Sequence, residues 1–406
     1  MGGFGVTDRR PPLLVFLVDA FRHDYLELGE TPFLESLASS GVVRPLETIL
    51  GYSDSIRATA FTGAYPDELG YWMEYRFRPE GSPFRPFSSL GPVDRVPSDL
   101  ALRALKLGLS RTVVPQLARR RGYPTLDLRH LPFGALRFFD YSLRQPMTAY
   151  GALGEPTIFD RLTCAGRPWR YLDSSKVGDR GIVDGIANAP EDSALLFVYL
   201  HHVDMASHLF GIDGPQFHSA LRRTDERVRH VAGAVGRRFD DVDTLVFSDH
   251  GMSPARSLRS IRELRWHPAF GKAFCFALDA TMVRLWYLED RAFLREELRE
   301  LVANRLPGRF LSEQDRRALH VDFNHRDYGD EIFLVEPGVI IFPNFHSYVR
   351  PKAMHAYDPA DPDQTGIFIA AGNTPPIGDR VEMTDMHSLM TRMTGVADRP
   401  AAEVRT

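Results

Sequence analysis

The chain has 406 residues, 44% of them hydrophobic and 25% charged, and a net charge of −4. That length accommodates one large α/β domain with insertions, or two or three domains. The composition is that of an ordinary globular protein, and the charge balance excludes nucleic acid as a general partner.

Residues 1–12 carry Asp8, Arg9, Arg10 and two prolines, and the apolar run Leu13–Val18 that follows is short and ends in Asp19. A signal peptide needs a longer apolar region with a cleavage site, and a membrane span needs about 20 apolar residues. Neither pattern is present, so a cytoplasmic protein is expected. Residues 13–75 read as strand, helix, strand and helix. Residues 76–98 read as loop, with Pro79, Gly81, Pro83, Pro86, Gly91, Pro92 and Pro97. Residues 99–121 read as a basic helix with Arg103, Lys106, Arg111, Arg119, Arg120 and Arg121, its charges expected to be solvated. The main fold returns over 156–171 with a helix around Ile158 to Cys164. Strand runs follow at Ala194–Leu200 and Thr244–Ser248. The stretch 265–350 differs in texture and is expected to be a smaller inserted subdomain. Its helix near 291–306 places Phe293, Leu294, Leu298, Leu301 and Val302 on one side. Strand runs come back at Val339–Phe342 and Ile367–Ala371. Strands alternating with helices predict a mostly parallel sheet flanked by helices. Cys164 and Cys275 are too few for a disulfide framework and read as buried structural thiols.

Several chemically capable residues sit just past strand runs, where α/β sheets collect their functional groups. Asp19 ends the first run. A carboxylate there is costly without a partner, or else caps the helix expected over Ala20 to Leu28. Asp204 and His208 are one helical turn apart, so both can grip one metal ion, although such pairs also arise on solvated faces. Asp249-His250-Gly251 follows a buried strand and reads either as two ligands at a sheet edge or as an Asx turn beside an incidental histidine. Ser53 precedes a helical segment, where free N–H groups suit a phosphate. The bland alternative makes Ser53, Asp54 or Ser55 the helix cap. His355 alone reads as a core or surface histidine as readily as a ligand.

The order Asp19, Ser53, Asp204-x-x-x-His208, Asp249-His250-Gly251 and His355 resembles the alkaline phosphatase superfamily, nearest its nucleotide pyrophosphatase/phosphodiesterase branch. The blocks are Val18-Asp19-Ala20; Ser53 through Thr62-Gly63-Ala64-Tyr65-Pro66; Asp204 to Gly211; Ser248 to Met252; and His355-Ala356-Tyr357-Asp358. The resemblance implies an alkaline-phosphatase-like α/β/α sandwich. Its catalytic domain would be 1–264 and 351–406, elaborated over 76–155, with 265–350 as a cap-like insertion. It implies two divalent metal ions, zinc with manganese as the other choice. One would be held by Asp19, Ser53, Asp249 and His250, the other by Asp204, His208 and His355. Ser53 would be the nucleophile, placed by the Thr62-Gly63 pair. The implied activity is hydrolysis of phosphodiester or nucleotide pyrophosphate bonds of a small molecule through a phosphoseryl intermediate. Four positions depart from the branch. Serine replaces the usual threonine nucleophile, and Ser207 replaces a glycine. Arg57 resembles the arginine of the sulfatase signature and would bind non-bridging oxygens. Glu74 stands where the branch has a phosphate-contacting asparagine, so it would either pair with Arg57 or Arg76 or read hydroxyls of the leaving group. A phosphomonoesterase, a sulfate or phosphonate ester hydrolase, a phosphosugar mutase and an inactive binding protein are the alternatives.

Overall fold

The computed structural model describes residues 11–96, 99–122, 131–347 and 349–397. Asp8, Arg9, Arg10 and Pro97, singled out in the sequence, lie outside them. Among the described residues no helix is long and apolar enough to cross a membrane.

The chain enters through β1 (Leu13–Val18), all of it buried. A helix, Pro32–Ser40, leads to β2 (Val42–Glu47), and the helix Ser53–Thr62 follows. β3 (Tyr75–Phe77) and β4 (Phe139–Tyr141) pair antiparallel across a long excursion that contains the helix Asp99–Arg121. Next come the helix Ile158–Cys164, β5 (Trp169–Asp173), the helix Ser174–Ala187 and β6 (Leu195–Leu200). Helices His202–Phe210 and Pro215–Gly236 precede β7 (Asp243–Phe247). Short strands β8 (Ser253–Pro254) and β9 (Ser257–Arg259) lead to β10 (Phe274–Leu278) and β11 (Met282–Tyr287). After the helix Ala292–Arg305 come β12 (Gly308–Phe310), β13 (Glu331–Val335), β14 (Val339–Ile341) and β15 (Ala353–Met354). β16 (Gly366–Ala371), β17 (Val381–Glu382) and the helix Asp385–Thr394 complete the described fold.

The main sheet runs β17-β2-β16-β7-β1-β6-β5. β1 is parallel to β6 and β7, and β5 is parallel to β6, whereas β16 is antiparallel to both its neighbours. A strand covered on both faces reads as a continuous apolar run, which is how β1 and β6 read. Alternate side chains serve opposite layers. Leu14, Phe16 and Val18 pack with Ile182, Leu221 and Val228, while Leu13, Val15 and Leu17 pack with Ile56, Phe61 and Met390. Helices therefore cover both faces, and the fold is the α/β/α sandwich with a mostly parallel sheet that the sequence predicts. Register brings Val18 level with Leu200 and Leu17 level with Phe247. Residues just past these three strands consequently share one edge.

A second sheet, β10-β11-β13-β12, lies in the 265–350 stretch. Phe274, Trp286 and Phe333 share one apolar core with Tyr75, Phe84 and Phe139 from the excursion.

Four expectations are corrected. Residues 76–98 are not simply loop: β3 ends there, at Phe77, and 3-10 turns run over Arg85–Arg95 because Phe84 and Phe87 are drawn into that shared core. Phe293 is 83% exposed, since Leu294, Leu298 and Val302, four apart, carry the buried stripe and residue 293 is rotated about 100° from 294. Cys164 is exposed at the last position of its helix, whereas Cys275 is buried in β10. In the basic helix Arg111, Arg119 and Arg120 are exposed, but Lys106 is buried, its ammonium on the Leu131 carbonyl and over the Phe133 ring. The Arg103 and Arg121 side chains lie outside the described set.

Candidate active site

Asp19 leaves β1 with its N–H on the Leu200 carbonyl at 3.0 Å. It caps no helix; the 3-10 turn His23–Leu28 is entered from Arg22. Ala20 beside it has φ +59°, and Ala356 beside His355 has φ +67°. Left-handed backbone at such residues costs on the order of 1–3 kcal/mol and persists where the surroundings dictate it. Asp249 and His250 follow β7. Ser248 Oγ accepts from the Phe21 N–H at 2.8 Å and donates to the His250 carbonyl at 2.7 Å, tying the ends of β1 and β7 together. Gly251 has a steric reason to be glycine: a Cβ there would lie 2.2 Å from the Asp363 carbonyl oxygen.

Asp204 and His208 face each other along the helix His202–Phe210, with Nε2 at 3.1 Å from Oδ1. The His208 ring is oriented by its Nδ1, which lies 2.8 Å from the Ala353 carbonyl. His355, just past β15, has Nε2 at 3.8 Å from Asp204 Oδ1, and its ring stacks on His250 at 3.7 Å.

Ser53 is the first residue of its helix and Tyr52 is the cap. Ser53 Oγ lies 3.0 Å from His250 Nε2, which is itself 3.3 Å from Asp19 and 3.6 Å from Asp249. Ser55 is fully buried and its hydroxyl turns back to the Tyr52 carbonyl at 2.8 Å. Of the two serines, only Ser53 meets the cluster. At the other end of this helix Gly63 adopts φ +77° and closes the last turn on Thr59.

Donor atoms of Asp19, Asp249 and His250 lie within 4.8 Å of one another, and so do those of Asp204, His250 and His355. The division differs from the one implied by the family pattern. His250 stands in both groups, and His208 borders the second through Asp204 and through the His355 ring at 5.4 Å.

The electrostatics of the cluster call for positive charge. Burial and the nearby Asp19 push the Asp249 carboxyl up to about 7. Burial opposes ionisation of Asp19 as well, yet His250 and the Tyr199 hydroxyl hold it below the usual range. Burial also opposes a charged His250, but Asp249 and Asp19 raise it to about 10. Burial and the histidines around it keep His355 neutral. Among the described residues Asp19 Oδ1, Asp204 Oδ1, Asp249 Oδ2 and His355 Nδ1 are buried with no hydrogen-bond partner. Buried polar atoms in native proteins are normally satisfied. Carboxylate and imidazole donors crowded this closely fit divalent cations, which would take the place of the proton on His250 Nε2.

Tyr199 and Arg57 flank the cluster, and of the two only Arg57 stands out in the sequence. The Tyr199 hydroxyl donates to Asp19 Oδ2, and its only sequence trace is a polar tip inside an apolar strand run. The Arg57 guanidinium lies over the Tyr199 ring at 4.6 Å, holds Asp54, and reaches the Ser53 carbonyl through Nε at 3.3 Å. Arg76 lies 3.9 Å from Asp327. The carboxylates beside Arg57 and Arg76 are thus Asp54 and Asp327. Glu74 lines a cavity of about 650 Å³ together with Arg57, Tyr171 and Lys176.

Comparison with known proteins bears on the family and the fold. The sequence matches the type I phosphodiesterase / nucleotide pyrophosphatase family over residues 13–96 and 141–358. An uncharacterized pyrophosphatase/phosphodiesterase of Schizosaccharomyces pombe is 35% identical over 69 residues, which is 16% of this chain and only 14% of that protein. Murine ectonucleotide pyrophosphatase / phosphodiesterase 5 superposes with TM-score 0.66 at 16% identity, covering 96% of each chain. An inactive form of it in complex with AMP gives 0.65 at 16% identity, again over 96% of each chain. The human protein gives 0.64 at 15%, with the same coverage. These structures share the fold, and the sequence match spans both the helix Ser53–Thr62 and the strand ends that carry Asp19, Asp249 and His250. The chain belongs to the type I phosphodiesterase / nucleotide pyrophosphatase family of hydrolases.

Proposed function

We propose that the chain hydrolyses phosphodiester or nucleotide pyrophosphate bonds through a covalent intermediate on Ser53. The observation that carries this reading is the Ser53 hydroxyl, 3.0 Å from His250 Nε2 at the mouth of the carboxylate–imidazole cluster. In this proposal one zinc ion is held by Asp19, Asp249, His250 and the Ser53 oxygen, the other by Asp204, His208 and His355. Bound there, the ions would supply Lewis acidity, lowering the hydroxyl pKa and neutralising developing charge on phosphoryl oxygens.

The chain's own groups set the rest. The helix Ser53–Thr62 aims its positive end at the phosphoryl group. Ser53 Oγ forms the new P–O bond as the leaving oxygen departs from the opposite side. Water then cleaves the phosphoseryl ester, and two inversions give net retention at phosphorus. Arg57 adds positive charge beside Ser53. The cavity lined by Arg57, Glu74 and Tyr171 takes the organic group of the ester. In this reading Glu74, on the wall of the same cavity, accepts hydrogen bonds from hydroxyls of that group. A sugar or nucleoside suits this role, and the murine neighbour in complex with AMP is consistent with it. A cytoplasmic location remains part of the proposal, although the neighbours' name, ectonucleotide pyrophosphatase, points outside the cell; fractionation of the native host decides it.

The test is the zinc-loaded protein assayed on nitrophenyl phosphodiester, monoester, phosphonate and sulfate substrates, with Ser53→Ala as the control. Fastest turnover of the diester, lost in Ser53→Ala with metal content unchanged, is expected. A preference for the monoester or sulfate would replace the reading with those hydrolases. Retention of phosphate on the enzyme would indicate a mutase, and no turnover of any substrate a binding protein.

A further inference from the structure

Tyr52 lies between the nucleophile and one of the candidate ligands, and the second sheet holds it there. Its backbone caps the helix that Ser53 begins. Its hydroxyl oxygen lies 3.0 Å from Thr281 Oγ1 and accepts from the Thr281 N–H at 3.2 Å. Thr281 Oγ1 donates its only proton to the Ala356 carbonyl at 2.8 Å. The Tyr52 hydroxyl must therefore be the donor to Thr281 Oγ1, and each hydroxyl in the chain has one donor and one acceptor role fixed. The ring is held as firmly. One face stacks on His346 at 5.3 Å, and its other neighbour is His355, edge-on at 5.5 Å. His346 is fixed by Asp279 at 3.0 Å, and Asp279 by Arg284 at 2.7 Å.

Thr281 and Asp279 lie in the turn between β10 and β11. That turn touches both sides of the site. Through Tyr52 it bears on Ser53, and through the Ala356 carbonyl it bears on the left-handed residue that follows His355. Neither Tyr52 nor Thr281 belongs to either metal-donor group.

We infer that Tyr52 is a positioning residue, and that the Tyr52–Thr281–Ala356 hydrogen-bond chain sets the distance between the Ser53 hydroxyl and the His355 side of the cluster. The second sheet is thereby part of the catalytic device and more than a cover. The inference rests on the proposed role of Ser53. Substrate binding falls to the cavity and the cations, so loss of the chain slows the chemical step and leaves binding alone.

The experiment compares wild type with Tyr52→Phe, Thr281→Val and Thr281→Ser, each zinc-loaded, on a nitrophenyl phosphodiester. Tyr52→Phe and Thr281→Val should each lower kcat about tenfold, the scale of one lost positioning hydrogen bond. KM should stay within about twofold and metal content should be unchanged. The double variant should be much less impaired than the product of the two single losses, because both break the same Tyr52–Thr281 bond. Thr281→Ser, which keeps the hydroxyl, should restore wild-type kcat. The phosphoserine trapped by acid quench at steady state should fall in the two slow variants. An unchanged kcat with only a lower melting temperature would overturn the inference, and so would additive losses in the double variant. Absence of turnover in wild type would instead strike the proposed function, whereas normal wild-type turnover with insensitive variants strikes the role of the hydrogen-bond chain alone.

Discussion

Arg57 shows how one side chain can serve a site without being one of its ligands. Its guanidinium holds Asp54, reaches the Ser53 carbonyl and covers the ring of Tyr199, whose hydroxyl fixes Asp19. A lysine keeps the charge but loses the planar fork. Arg57→Lys should therefore lower kcat/KM by about tenfold or more while leaving bound metal unchanged, as steady-state kinetics and elemental analysis would show. Equal kinetics on every substrate would remove Arg57 from the site. At this scale much of the cluster is visible in the sequence, because Asp19, Asp249 and His250 are polar residues placed where apolar runs stop. Tyr52 and Thr281 are not visible. They lie 229 residues apart, and no period or motif signals a hydrogen bond between them. The sequence offers Glu74 as one partner of Arg57, whereas Asp54, three residues away on the same helix, holds the guanidinium.

Elements position the cluster through strand ends and the loops packed against them. β7 is followed by Gly251, which packs against the loop that precedes β16. An added methyl would meet the Asp363 and Thr365 carbonyls at 2.2 and 2.9 Å, which only backbone movement relieves. Gly251→Ala should cost about 1–3 kcal/mol of stability, by analogy with overpacking. Because Asp249 and His250 precede it directly, the variant should also bind fewer metal ions. A urea titration and elemental analysis check both outcomes, and a variant with normal metal content would show that the strand end tolerates the shift. Strand and helix types were legible wherever a run was long and periodic, as in β1, β6 and the helix Ile158–Cys164. The failures came from tertiary packing. Phe84 and Phe87 turned a proline-rich segment into ordered turns, and the exposed Phe293 sits one position off the stripe that its neighbours define.

On the scale of the whole molecule, we propose that 265–350 is a cap-like insertion into a catalytic domain of 1–264 and 351–406. The core it shares with Tyr75, Phe84 and Phe139 argues that the excursion 76–155 moves with it. Its junction with the site is the buried set Asp279, Arg284 and His346. Burial opposes ionisation of Asp279, but Arg284 and His346 hold its carboxyl down at about 2. The folded value lies below the unfolded one of about 3.9. Its contribution to stability is therefore complete above about pH 4 and is lost as pH falls toward 2. Its size is about 2–3 kcal/mol. Asp279→Asn should cost about 3 kcal/mol or more near neutral pH, because Arg284 stays buried without its counter-ion. It should also flatten the fall in urea midpoint between pH 4 and 2. A wild-type slope retained in the variant would show that other carboxylates govern acid unfolding.

The place of β16 in the main sheet bears on how the chain is made. β16 lies between β2 and β7, although residues 366–371 are among the last of the fold to leave the ribosome. Until they emerge, β2 has no partner at its inner side, and β7 shows a bare edge to the cytosol or to any chaperone waiting there. Exposed strand edges recruit other chains. Translation through β9 to β15 is therefore the interval in which a nascent copy is open to mispairing, and arrival of Gly366–Ala371 closes it by joining the two halves of the sheet.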